Sequence, residues 1–167
     1  MRNKKKLIIG TISLVAIISI FTIVILLAIP NFILSVITPD INLEDESFNG
    51  IRLNQNINEF NIADISVDIN NPNFYNLSNG VRLIADGNGI ISNIAITYDT
   101  NQKVKTSRGI TVGNSLENVK RYYGEDYYNR REQGVAIIVY VDDNKFLEFW
   151  HWNDEVQEIR FGINGIN

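Results

Sequence analysis

The stretch LEFWHWND, residues 147–154, holds both tryptophans and the only histidine of the chain. His151 is the one imidazole that could move a proton near neutral pH. A general base needs a nucleophile or an acid held beside it, and no residue pattern here supplies one. A half-buried histidine near a strand end is therefore the default reading. The chain has no Gly-rich phosphate loop, no HExxH and no GxSxG elbow. The acidic pairs Glu44 with Glu46 and Glu125 with Asp126 fall in loop-like segments with nothing to raise a carboxyl pKa, which gives a glycosidase little support. DGNG (86–89) and VDDN (141–144) carry carboxylates but lack the alternating ligand spacing of a calcium loop, so they read as turns. There is no cysteine, which excludes disulfides, a thiol nucleophile, a Cys-bound metal and a lipid on an N-terminal Cys. These residues imply no cofactor, no metal and no enzyme.

The tryptophans suggest recognition instead. Side chains alternate across a strand, so Leu147, Phe149 and His151 share one face while Glu148, Trp150 and Trp152 share the other. The next strand divides Ile159 and Phe161 from Glu158 and Arg160. Val135, Ile137, Val139 and Val141 are expected to join the Leu147 and Phe149 layer. The opposite face would then present Trp150, Trp152, Tyr140, Glu148, Glu158 and Arg160, aromatic side chains among charges, as a partner-binding surface. The competing reading packs the tryptophans as ordinary core. RYYGEDYYNRRE (121–132) is either a docking loop or a solvated connection in which Tyr123 is core.

These strands belong to a pattern that appears twice. GIRLNQNINEF from Gly50 aligns with GITVGNSLENV from Gly109, so that Ile51, Leu53, Ile57 and Phe60 match Ile110, Val112, Leu116 and Val119. In the second copy Asn114 can cap a helix, with Glu117 completing the capping box. Leu116, Val119 and Tyr123 then share a face, and Gly124 ends the helix. The first copy predicts a less regular helix from Gln55 to about Asn61, with no terminating glycine. Strands are expected at 74–77, 81–85 and 90–97, then at 135–141, 146–152 and 156–161, with turn signals between them. The predicted fold is α+β: an extracytoplasmic domain over 49–165, built from two tandem helix-plus-three-strand antiparallel units at about 50–100 and 109–162, with both helices on one face of the sheet.

GITVGNSLENVKRYYG followed by three antiparallel strands resembles the repeat of the β-lactamase inhibitor protein fold and of the SmpA/OmlA lipoproteins. The likeness covers roughly residues 50–162. It implies two tandem units whose concave sheet grips a protein. It transfers no partner and no binding residue. Asn54, where the second copy has Gly113, departs from the pattern, as does the missing lipid-anchor cysteine.

The N-terminus adds a location. After a basic tail (1–6, with Arg2, Lys4, Lys5 and Lys6), residues 7–29 carry no charge. As a helix they would extend about 34 Å, enough to span a bilayer's hydrocarbon core. An uncleaved transmembrane helix is preferred to a signal peptide, because the apolar run is long and Ala28-Ile29-Pro30 is a poor cleavage signal. The tail would be cytoplasmic and the rest outside a single-pass cell-membrane protein, with 30–48 as a juxtamembrane linker. Beyond residue 37 lie 11 Lys and Arg (15 minus the four in the tail) and all 19 Asp and Glu, a formal charge of −8. That balance disfavours nucleic acid as a partner. The expected partners are the membrane, through the N-terminal helix, and a protein or envelope component. A cell-wall polymer hydrolase and a membrane-anchored immunity or regulatory protein are the alternatives.

Overall fold

The computed structural model describes residues 33–164. The chain divides into two units, 1–37 and 38–167. In the first, residues 33–37 are helical. The basic tail and the transmembrane helix expected over 7–29 lie outside the described residues. Among the described residues no helix is long and apolar enough to cross a membrane, so no described element supplies the span of a single-pass architecture.

The second unit is one antiparallel sheet of eight strands. The strands are β1 (Ile65–Val67), β2 (Phe74–Leu77), β3 (Arg82–Ala85), β4 (Ile91–Thr97), β5 (Tyr128–Glu132), β6 (Val135–Asp142), β7 (Lys145–Trp152) and β8 (Glu155–Ile163). Their spatial order is β1-β2-β3-β4-β8-β7-β6-β5. Two four-stranded meanders are thus joined through their last strands.

This corrects the expected architecture of two helix-plus-three-strand units. Each half has a fourth strand, β1 or β5, at the sheet edge. Among the described residues of this unit one α-helix accompanies the sheet, α1 (Leu116–Tyr123). It is capped by Ser115, whose side chain accepts from Asn118 N, whereas Asn114 Oδ1 accepts from Thr111 N. The helix predicted for the first copy is two 3-10 turns, Ile57–Glu59 and Ile62–Asp64. Asn61 lies extended between them and caps the second, which breaks the turn sequence after Phe60.

The paired loops nevertheless close alike. Ile91 N donates to Gln55 O and Val156 N to Asn114 O, both at 2.9 Å. Ile57 N donates to Gly89 O at 2.8 Å and Leu116 N to Asp154 O at 2.9 Å. Asn54 and Gly113 both take the left-handed backbone, at φ 64° and 87°. Asparagine tolerates this region better than most residues, so Asn54 leaves the loop shape intact.

One face of the sheet is covered. Leu83, Ile94, Ile96, Ile138, Tyr140, Leu147, Phe149, Ile159 and Phe161 are buried there in a single cluster with Val119 and Tyr123 of α1. Leu43 and Phe48 join that cluster, so residues 38–48 are part of the folded body. Glu46 fastens this segment: its carboxylate accepts from Ser107 N and Oγ and from Tyr123 Oη, each at 2.8 Å. Burial, with Glu46 beside it, pushes the Tyr123 phenol far above its ordinary range.

Candidate functional site

The uncovered face is set by turn length. β6 and β7 are joined by the two-residue turn Asp143-Asn144, and Asp142 pairs with Lys145. Partners then sum to an odd number, so odd positions of β6 share a face with even positions of β7. Ile137 faces Trp150, Val139 faces Glu148 and Tyr140 faces Leu147. The expected division of β6 is therefore reversed. Tyr140 lies on the covered face, fully buried, donating to Gly124 O at 2.8 Å. Val135, Ile137, Val139 and Val141 lie with Trp150. Alternation could not decide this, because VAIIVYV is apolar at every position.

Between β7 and β8 the parity is even over most of the ladder, because Gln157 forms a bulge after the turn Asn153-Asp154. Glu148 pairs with Arg160 and Trp150 with Glu158. These four therefore share the uncovered face, as the sequence predicts. Their arrangement is a sealed cluster and not an open aromatic platform. Trp150 is only 8% exposed. The guanidinium carbon of Arg160 lies 4.0 Å from its ring centroid and that of Arg130 5.5 Å. Trp150 Nε1 donates to Glu148 Oε2 at 2.9 Å. Glu148 Oε1 accepts from Arg130 Nε and Nη2 at 3.2 and 2.7 Å. Glu158 accepts from Arg160 Nε at 2.7 Å. Burial, with Glu148 nearby, pushes the Tyr128 phenol up. Trp152 stands apart at the strand end, 60% exposed. His151, on the covered side opposite Val156, is half-buried, and its pKa is lowered chiefly by that burial.

Beside the sealed cluster runs a groove of about 460 Å³. Phe74, Arg82, Ala95, Phe146 and Arg160 line it, with Arg130, Glu148 and Glu158 at the cluster side. Phe74 is on β2 and Arg130 on β5, six strand steps apart. In a flat sheet that is roughly 29 Å, and both side chains nonetheless border the same groove. A second cavity of about 840 Å³ continues past Phe74, Ile84, Asn93 and Phe146.

Cross-strand register builds the groove floor. Arg82 pairs with Ala95, and Ala95 with Arg160. In the adjoining row Ile84 pairs with Asn93, Asn93 with Gly162 and Gly162 with Phe146. A Cβ on Gly162 would come within 2.5 Å of Phe146 Cζ and 2.3 Å of Asn93 Nδ2. The glycine thus lets the Phe146 ring lie across the floor. Sequence reasoning identified Glu158, Arg160, Glu148 and Trp150 but missed Phe74, Arg82, Ala95, Arg130 and Phe146. Alternation within β3 and β4 could have placed Arg82 and Ala95 on one face each. Only pairing puts them in one row with Arg160.

Other expected features read as structure. Asp86 Oδ1 accepts from Asn88 N and Ile90 N at 2.8 and 2.9 Å, which closes the DGNG turn and holds its carboxyl below the usual range. No group of three His, Cys, Asp or Glu side chains among the described residues is placed to hold a metal ion. No protein-family model, curated protein or solved structure matches this chain.

Proposed function

We propose that this protein is a binding module that takes a segment of a partner protein on the uncovered face of its sheet. The observation that carries this reading is the asymmetry of the two faces. One is closed by α1, the loops and residues 38–48. The other carries a groove with aromatic walls and partly free guanidinium groups. Arginine and aromatic side chains in a concave site are the residue types that dominate protein recognition. The likeness of the second copy to a protein-gripping repeat points the same way.

The test compares two aromatic positions of similar exposure, Phe74 on the groove (42%) and Tyr122 on α1 (53%). Each is replaced in turn by the photoreactive p-benzoylphenylalanine in the producing cell. Discrete cross-linked adducts from position 74 and none from 122 are expected. The same adducts from both positions, or adducts from 122 alone, overturn the reading.

A further inference from the structure

We infer that the groove binds a side-chain carboxylate of an extended peptide strand between Arg82 and Arg160, with an apolar side chain two residues away seated on Phe74 and Phe146. The inference rests on the binding-face reading and names the chemistry of the partner.

Three observations converge. First, the row Arg82–Ala95–Arg160 spans three adjacent strands. Strands lie about 4.8 Å apart, so the two arginine backbones flank a methyl floor at roughly twice that distance. An anionic group above Ala95 is within reach of both guanidiniums.

Second, both guanidiniums have N–H groups to spare. The only hydrogen bond from Arg160 among the described residues leaves Nε for Glu158, and both Nη atoms remain. Arg82 has one long contact, 3.5 Å to the exposed Asp99. Arg130, by contrast, is spent on Glu132 and Glu148. A guanidinium fork matches a planar carboxylate through two parallel bonds.

Third, the next row of the same face is apolar at its ends, Phe74 against Ile84 and Phe146 against Gly162. The rows are two residues apart along β4, at Ala95 and Asn93, or about 6.8 Å. Side chains at i and i+2 of an extended peptide have the same spacing and the same facing. A strand laid along β4 therefore matches an apolar-x-Glu pattern. Polyanions fit poorly. Glu148 and Glu158 stand in the groove, and the chain carries a net charge of −4, which repels them at long range.

The full-length chain carrying Trp152→Phe leaves Trp150, under Arg160, as the only fluorophore of its type. It is titrated with acetyl-Ser-Leu-Thr-Glu-Ser-amide, and calorimetry gives a second readout. Saturable binding is expected. It should weaken at least tenfold for the Glu→Gln peptide, for the register-shifted acetyl-Ser-Thr-Leu-Glu-Ser-amide, and for the Arg82→Gln protein. Arg82 is exposed and off the tryptophan, so thermal unfolding of that variant should not change. Equal binding of the Gln peptide, or no effect of Arg82→Gln, overturns the carboxylate grip. Inorganic phosphate that binds as tightly and competes would make this a free-anion site and overturn the peptide. If these fail while adducts still form from position 74, the carboxylate class falls and the binding face stands. If both fail, the face reading falls too.

Discussion

The halves 57–97 and 116–163 enter the same four-stranded meander, one through two 3-10 turns and the other through α1, yet only the second has apolar clusters on both faces of its strands. An offset of 65 equates Ile91 with Val156, the bulge Ser92 with the bulge Gln157, and Ala95 with Arg160. Ala95 and Arg160 are also cross-strand partners, so the relation between the halves passes through this pair. By pairing, Leu83 then corresponds to Phe149 and Arg82 to Glu148. On the covered face Leu83 and Phe149 are alike, both buried and apolar. On the uncovered face the equivalents diverge. The second half seals Trp150, Ile137, Val139 and Val141 under its own arginines. In the first half Ile84 and Phe74 hold the places of Trp150 and Ile137, at the groove, while Asn76, Arg82, Asn93 and Ala95 hold those of Val139, Glu148, Glu158 and Arg160. Equivalent positions keep what the shared core requires. They differ where one half closes over itself and the other stays open at the groove.

The largest effects test the likeness. Phe149→Ala should cost about 3–5 kcal/mol and Leu83→Ala about 2–5 kcal/mol, through lost burial and a residual cavity. Both residues sit in one cluster that spans the halves. Each variant should therefore unfold in a single transition by calorimetry and by circular dichroism. Two separated transitions would break the comparison by making the halves independent domains.

The next pair tests the divergence. Glu148→Ala strips Arg130 and Trp150 Nε1 of their buried partner and should cost about 3 kcal/mol or more. Arg82→Ala removes a half-exposed side chain with one weak ion pair and should change stability by less than about 0.5 kcal/mol. Chemical denaturation of both variants measures the contrast. Similar costs would mean that the first half's face is as closed as the second's.

The caps are a finer probe. Ser115 caps α1 and Asn56 caps the first 3-10 turn, where Glu59 completes a capping box and Asn56 Nδ2 also donates to Asn88 O at 3.1 Å. Each change to Ala should cost about 1 kcal/mol in denaturant titrations. A silent Asn56→Ala would show that the short turn is held by packing of Ile57 alone.

The smallest effect is a pH dependence. Burial lowers the pKa of His151 below its ordinary 6.5. The folded state therefore resists protonation more than the unfolded chain does. Stability should be full above about pH 6.5 and fall as the pH drops from there through the lowered folded value. The ring is half-exposed, so the loss is only a few tenths of a kcal/mol. His151→Ala, which introduces the type found at its counterpart Ala85, should flatten the pH profile of thermal unfolding between pH 7 and 5.

Much of the local structure was legible. The strands expected at 74–77, 81–85, 90–97, 135–141, 146–152 and 156–161 from β-rich runs between turn residues each coincide, within two residues at either end, with β2, β3, β4, β6, β7 and β8. The DGNG turn and a helix ended by Gly124 were legible as well. The edge strands were not legible, because YNRRE and ISV carry too few apolar residues for an alternating signal. The first-copy helix failed on a local competition: Asn61 caps a new turn where continued helix needed an unbroken backbone. At the site, Glu148, Trp150, Glu158 and Arg160 were placed on the right face by alternation within their own strands. Tyr140 was misplaced, since its strand carries no polar alternation to read.

The sequence by itself determined elements that neighbouring residues control: turns, the helix ended by Gly124 and most strands, because these depend on backbone preference and on hydrogen bonds within a few residues. Tertiary structure decided which side chains meet. Parity across β6 and β7 depends on the length of a turn, and the row Arg82–Ala95–Arg160 depends on pairing β4 with β8, some 65 residues away. Side chains on a sheet acquire their neighbours from strand register, and register is fixed by the core on the covered face, where none of these three residues lies.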